Sequence, residues 1–506
     1  MKQLLVIISL LVTSTGLFAQ STYVPYNREY YHLVDRFGVK YANDFDFFQN
    51  TYKPLRRSYI SELLLKVNED RENLNTRDLF NLDYLMNDNW YWTESETSDS
   101  KKNLWDILYV KKKDFYSHTE KSYSIQINPI FEFGGGIDSS NDLTLFTNTR
   151  GIEAHGTIDD KIGFYTSLTE TQTRLPQYVF DYIRGVPQAF PNEGYWKKFG
   201  DNAWDLTHAR GYITFNVTKS IDVQTGYDKN FIGNGFRSMV LSDFSSPYLY
   251  LKVNTRLGRF LYTNLFAELT EDVIFLGLNP GDGDYPKKFM AMHRLSVNFS
   301  RNVEVGVFET IIARKADINY FNPIIFYRAI EQQQGSPDNI NIGLDFKVNI
   351  HNKYQVYGQA VLDEFLIGAL LEGDGDWRNK FGVQVGAKAF DAFKISTLDL
   401  QAEYNVSRPY FYAYEDPALS YTNYRNPLAH PLGANFSEII LTARYQPVNK
   451  VTVSSTIIRS NFGQDKDGLN YGGNLLLSTD DRVGNTGNTI GQGAKTINTY
   501  LELTGT

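Results

Sequence analysis

The chain has 506 residues, a formal net charge of −8, 35 Tyr, 34 Phe and no Cys. Without cysteine it can form no disulfide, thiolate metal site or cysteine nucleophile, and a mildly acidic balance with no basic stripe argues against nucleic acid as a partner. That length can hold several domains, or one large β-structure with a small companion.

The chain opens with MKQLLVIISLLVTSTGLFAQ: one Lys, an apolar run from Leu4 to Val12, and Ala19 ahead of Gln20. This reads as a secretory signal peptide over 1–19, too short to span a bilayer, and no Cys follows to carry a lipid anchor. Residues 20–120 show helical spacing. Ile60, Leu63, Leu64 and Val67 form one stripe; Leu79, Leu82, Leu85 and Met86 form another, with Thr76 as its cap. A third helix is expected from Arg28, which makes the segment a small helical bundle.

From 121 to 506 the period changes to two. In GIEAHGTIDDKIGFYTSLTE, Gly151 to Glu170, the residues Ile152, Ala154, Gly156 and Ile158 share one face. Glu153, His155 and Thr157 take the other, and after Asp159-Asp160 the apolar face resumes at Ile162, Phe164 and Leu168. That is a hairpin on a two-residue turn. Similar hairpins repeat to the end of the chain. Each has a short turn at one end, while the links between hairpins are long, such as 171–207, 229–247, 314–339 and 407–437. Short turns on one rim and long loops on the other are the asymmetry of an outer-membrane barrel. The fold class expected is therefore all-β: a large transmembrane antiparallel β-barrel of about sixteen visible strands, with a small N-terminal α-helical bundle. The chain stops at LTGT without a terminal aromatic residue, so a final hairpin is expected to be missing.

Parity assigns the polar residues Asp345, Lys347, Asn349, Glu403, Glu268, Lys252, Arg256 and Arg294 to the lumen. Tyr248, Tyr262, Tyr404 and Tyr445 suit an interfacial aromatic girdle. The Gly-rich FGGGIDSS, Phe133 to Ser140, reads as a surface loop because it opens no helix. In NYFNPIIFYRAIEQQQG the pair Asn322-Pro323 starts a helix. Ile324, Ile325, Tyr327 and Ile330 are too apolar for a free loop, so the segment is expected to fold over or into the mouth, pairing Arg328 and Glu331 with lumen charges.

Chemistry is sparse. The chain carries no His-Glu-x-x-His helix, nucleophile elbow or phosphate loop, and the expectation is that it is not an enzyme. Trp196, Trp204, Trp377, Tyr410, Tyr412 and Tyr414 stand in long loops beside carboxylates, as glycan-binding faces do. Three Asp-x-Asp tips, Asp282/Asp284, Asp374/Asp376 and Asp465/Asp467, could hold Ca²⁺; ordinary turn chemistry explains them as well. No other cofactor is implied.

Several long motifs then carry a resemblance: GYDKNFIGNGFRSMVLSDFSSPYLYLKV (Gly226 to Val253), KKFMAMHRLSVN (Lys287 to Asn298), NYFNPIIFYRAIEQQQGSPDN (Asn319 to Asn339), LDLQAEYNVSRPY (Leu398 to Tyr410) and PLAHPLGANFSE (Pro427 to Glu438). Together they resemble the Wzi-like capsule-assembly family in its Bacteroidetes form, which includes RemB-like gliding-motility proteins. The resemblance implies an eighteen-stranded outer-membrane barrel with a periplasmic helical bundle and long extracellular loops. It also implies a role in binding or organising surface or capsular polysaccharide, among membrane lipid and lipopolysaccharide. The alternatives are a gliding or adhesion component that works with gliding or secretion machinery, and a transport pore.

Overall fold

The computed structural model describes residues 20–506 apart from 45, 96–97, 102–103, 186–189, 201, 272–284 and 365–366. The signal-peptide reading of 1–19, and Asp282 with Asp284, lie outside the described residues.

The head holds the three expected helices, Arg28–Lys40, Arg57–Glu69 and Thr76–Asp88. Ile60, Leu63, Leu64, Val67, Leu82 and Leu85 are buried together with Val34 and Phe37 in one apolar cluster. The third helix is capped by Asn75, whose side chain accepts from Arg77 N and Asp78 N, rather than by Thr76. Asn can reach the free N–H groups of the first turn from just outside the helix, and Thr76 is already helical.

Among the described residues, eighteen strands form one antiparallel sheet curled into a barrel wall. Most are long, from Tyr123–Asp138 to Ala494–Gly505; Tyr116–Thr119 and Lys197–Phe199 are short additions. The turn at Asp159-Asp160 has φ of 50° at both residues, the left-handed pair that a tight hairpin requires. The Gly-rich stretch is not a loop. Gly134, Gly135 and Gly136 continue the strand Tyr123–Asp138 opposite Thr147, Phe146 and Leu145. The β-rich partner LTLFTNT supplies the ladder that glycine alone would not favour.

Side chains on this wall are sorted opposite to those of a water-soluble protein. Ile152, Leu168, Ile213, Val307, Leu344 and Leu441 are exposed, while Lys252, Arg294, Glu304, Asp345 and Glu403 are buried inside. Two expectations fail, the lumen-facing parity of Glu268 and the place of Tyr248 in the aromatic girdle. Glu268 lies opposite Leu249 and Phe289, on the outward face, where Lys287 approaches it at 3.5 Å. Tyr248 points inward and is 2% exposed. The cause is common to both: Leu265, Ala267 and Leu269 belong to an internal apolar core, so in this part of the wall greasy side chains mark the inside.

That core is a plug. The head sits against the short-turn rim. There Arg36 reaches Asp78 at 2.8 Å, and Asp391 and Asp399 at 2.6 Å each. The segment after the first helix then enters the lumen, and Tyr52–Lys53 pairs antiparallel with Phe231–Ile232. These partners come from the long link 229–247, which folds inward from the other rim. The link 408–435 packs on top of it: Tyr421 OH donates to Val240 O at 3.0 Å and Tyr412 OH donates to Met239 O.

Candidate functional site

The plug is held by the buried charges of the wall. Glu403 accepts from Phe236 N at 2.7 Å, Arg237 N at 3.0 Å and Tyr357 OH at 2.8 Å. Lys347 donates to Phe48 O at 3.0 Å and to Asn50 Oδ1 at 2.5 Å, and pairs with Glu304 at 2.9 Å. Asp345 takes Arg294 at 2.6 Å. These three expected lumen residues therefore face inward, and each is spent on structure: a buried charge stays ionised only when paired and hydrogen-bonded.

On the side of the wall formed by the strands from Tyr123 to Asp228, the plug leaves a cavity of about 890 Å³. Its wall is a ladder of hydroxyls. Thr149 and Thr171 meet at 2.9 Å and Thr147 and Thr173 at 3.0 Å, with Ser167 and Thr169 on the same face of the strand Ile162–Arg174. Beside it, on the next strand, stand His208 and Arg210, paired in register with Thr169 and Ser167; Glu193 reaches Arg210 at 2.6 Å, His208 at 2.8 Å and Lys229 at 3.8 Å. Burial alone would raise the Glu193 carboxyl, but His208, Lys229 and Arg210 overcome it and hold the group at about 2. Phe190 and Leu175 add an apolar edge. Such a chamber offers hydroxyls, fixed charges of both signs and a small greasy surface, which suits a neutral or acidic polyhydroxylated ligand. Its signal was present in SLTETQTR, where hydroxyl residues alternate from Ser167 to Thr173. Taken singly, each Thr is an ordinary strand residue, so the pattern alone does not mark a site.

The residues expected to contact glycan sit elsewhere. Tyr410 and Tyr412 are fully buried, and Trp204 is buried between Phe180 and Phe190, with Trp196 packed against that cluster. A buried ring has no free face to offer a sugar. Trp377 is half-buried, with the Arg482 guanidinium 4.2 Å above its ring centre. The aromatic loops pack on one another because the long links fold back onto the barrel instead of standing free.

The segment 317–338 also departs from expectation. It forms the short helix Tyr327–Gln333, but lies on the outer surface of the wall and not in the mouth. Tyr327 N and Arg328 N donate to Glu309 at 2.7 Å each, and the Tyr327 ring stacks on His293 with centres 4.4 Å apart. Both Glu309 and His293 have outward parity, alternating with the buried inward residues Phe308, Thr310 and Arg294. Arg328 pairs with Glu331 at 3.0 Å, so neither reaches a lumen charge. His293 pairs with Glu309 at 3.2 Å, and the strap completes the Glu309 carboxylate with two N–H groups and covers the imidazole with Tyr327.

Asp374 Oδ1 accepts from Asp376 N at 3.0 Å, and Asp376 pairs with Arg378 at 2.6 Å. That is turn chemistry, with the carboxylate already engaged. Among the described residues no group of three His, Asp or Glu comes together as a metal site.

A curled antiparallel sheet with an exposed apolar outer face and a buried polar inner one is a transmembrane β-barrel. No helix among the described residues is long and apolar enough to cross a membrane. The chain is similar to the solved structure of Wzi, an outer-membrane protein involved in group 1 capsule assembly in Escherichia coli and described as a carbohydrate-binding β-barrel. The match has a TM-score of 0.53 at 11% identity and covers 88% of this chain and 86% of that one. Porin-type barrels also match: Pseudomonas putida OprB at 14% identity and a TM-score of 0.35, covering 67% and 89% of the two chains. Pseudomonas aeruginosa OccK8 (OprE) matches at 10% identity and a TM-score of 0.36, covering 67% and 84%. No protein-family model and no curated protein matches the sequence.

Proposed function

We propose that the chain is an outer-membrane barrel that binds or organises a surface polysaccharide, without catalysing a reaction on it, and that the polysaccharide enters the half-lumen chamber. The long-loop rim faces the cell exterior and the helical head lies in the periplasm. The observation that carries this reading is the division of the lumen. One side is filled by the plug; the other keeps a cavity of about 890 Å³ lined by paired threonines and the Glu193 cluster. The likeness in fold to a carbohydrate-binding barrel supports the same reading. An open diffusion pore would need the plug removed. A gliding or adhesion role would leave the chamber unexplained.

The test is calorimetric titration of the refolded barrel with oligosaccharides cut from the cell's own surface polysaccharide. Loss of a hydrogen bond to a charged group costs about 1.5–3 kcal/mol, so Arg210→Ala is expected to weaken binding by roughly tenfold to a hundredfold. Thr171→Val is expected to weaken it less. Absence of binding by the unaltered protein, or equal binding by both variants, refutes the chamber as the site.

A further inference from the structure

We infer that the outer wall carries a binding groove for one acyl chain of a phosphorylated glycolipid in the membrane's outer leaflet, formed where the strap 317–338 leaves the barrel. The groove, about 270 Å³, lies between the strap and the outward faces of the strands Tyr248–Leu257, Phe260–Thr270, Lys287–Ser300 and Val303–Ala313. Leu251, Phe266, Phe289 and Ile311 line it from the wall, and Tyr320 and Phe321 close it from the strap. The Phe321 ring stacks on Phe266 with centres 4.8 Å apart, which fixes the strap at this edge.

Its polarity has a direction. Leu251, Phe266 and Ile311 stand in one row across neighbouring strands, one outward position further from the long-loop rim than Glu268, while Lys315 and Asp317 follow the strand end at that rim. Lys287 pairs with Glu268 at 3.5 Å, leaving the exposed Lys315 with no ion pair among the described residues. An amphiphile in a leaflet has the same arrangement, with its charged head at the interface and its chain toward the bilayer centre. The groove is continuous with the exposed apolar belt formed by Leu249, Leu295 and Val307, so a chain reaches it without leaving the hydrocarbon layer. A lysine ammonium at the head end suits a phosphate, as a point charge. Choosing a glycolipid of the outer leaflet rests on the sidedness proposed above, which puts the long-loop rim at the cell surface.

The experiment uses the full-length barrel in vesicles containing either a phosphorylated glycolipid of the lipid A type or a phosphatidylglycerol, each with a photoactivatable group in one acyl chain. Glycolipid adducts are expected to concentrate on the peptides holding Phe289, Tyr320 and Phe321. They should fall several-fold in Lys315→Glu, an exposed change, and more in Ala313→Trp, which fills the groove. Unheated gel mobility reports whether each variant folds. Adducts spread evenly around the belt from both probes, or unchanged in Lys315→Glu, would overturn the groove. Localised adducts from the phosphatidylglycerol alone would overturn the choice of leaflet, and with it the sidedness, while keeping the cavity.

Discussion

Tyr52 lies directly opposite Ile232 in a two-stranded antiparallel ladder inside the barrel, joining a segment of the helical head to a link that folds in from the other rim. Residues directly opposite in such a ladder have Cα atoms about 4.5–5.5 Å apart, within reach of a disulfide. In a chain with no native cysteine, Tyr52→Cys with Ile232→Cys is expected to form one bond on refolding in oxidising buffer, seen as a shift on a non-reducing gel. Either single variant should stay unshifted. A double variant that remains reduced would contradict the meeting of the two segments.

Glu403 anchors the infolded link through Phe236 N and Arg237 N. Glu403→Ala removes these two charge-assisted bonds and the one from Tyr357 OH, each contributing about 1.5–3 kcal/mol, and leaves the link's two donors part-buried without this acceptor. In planar bilayers the unaltered barrel is expected to be electrically quiet, and the variant to show bursts of conductance. A steady large conductance from the unaltered protein would mean that the plug does not close the lumen.

The attachment of the head is expected to be acid-labile. Arg36 and Lys40 bridge Asp78 and Asp391 across the interface. Burial acts to raise both carboxyls, yet these cations hold Asp78 below its ordinary range and Asp391 at about 2. A carboxyl depressed in the folded state binds more protons when released, so its stabilisation is complete above an unfolded value of about 4 and is lost as pH falls toward about 2. Proteolysis of the head, followed from pH 5 to pH 2, should accelerate across that interval. Asp391→Asn should weaken the dependence, and a flat profile would remove these pairs from the account.

Much of the wall was legible from period two alone, because outward Ile152, Leu168 and Ile213 alternate with polar inward neighbours. The rule failed where the inside is also apolar. Around Leu265 and Leu269 the plug supplies a greasy interior, and Glu268 was assigned to the wrong side. The plug itself left a trace in Met239, Val240 and Leu241, three apolar residues in a row inside a long link, but periodicity has nothing to say about where a link folds. Arg328 and Glu331 were expected in the mouth. Their position was decided by His293 and Glu309, polar residues at outward parity that required cover. The chamber was the least visible feature: its threonines and Glu193 are neighbours in the chain, but each is an ordinary strand or link residue until the link folds back over the hairpin.

The sorting of faces can be tested by one substitution on each side of the wall. Val307 is 53% exposed at outward parity, and Val307→Arg is expected to destabilise the barrel by about 2–4 kcal/mol, as a cation at the lipid midplane does. Thr169→Arg, facing the chamber, should cost far less because it can stay hydrated. Urea unfolding in lipid vesicles reads both. Equal losses would contradict the assignment of inside and outside.

The most direct test of the binding chamber uses a single cysteine at Thr171, introduced into the cysteine-free chain and labelled in vesicles with a small water-soluble thiol reagent. The account predicts steady labelling that slows several-fold when oligosaccharide from the cell's surface polysaccharide is added, with no change at a control cysteine on the head. Labelling at Thr171 that is indifferent to the oligosaccharide, or absent from the start, would contradict it.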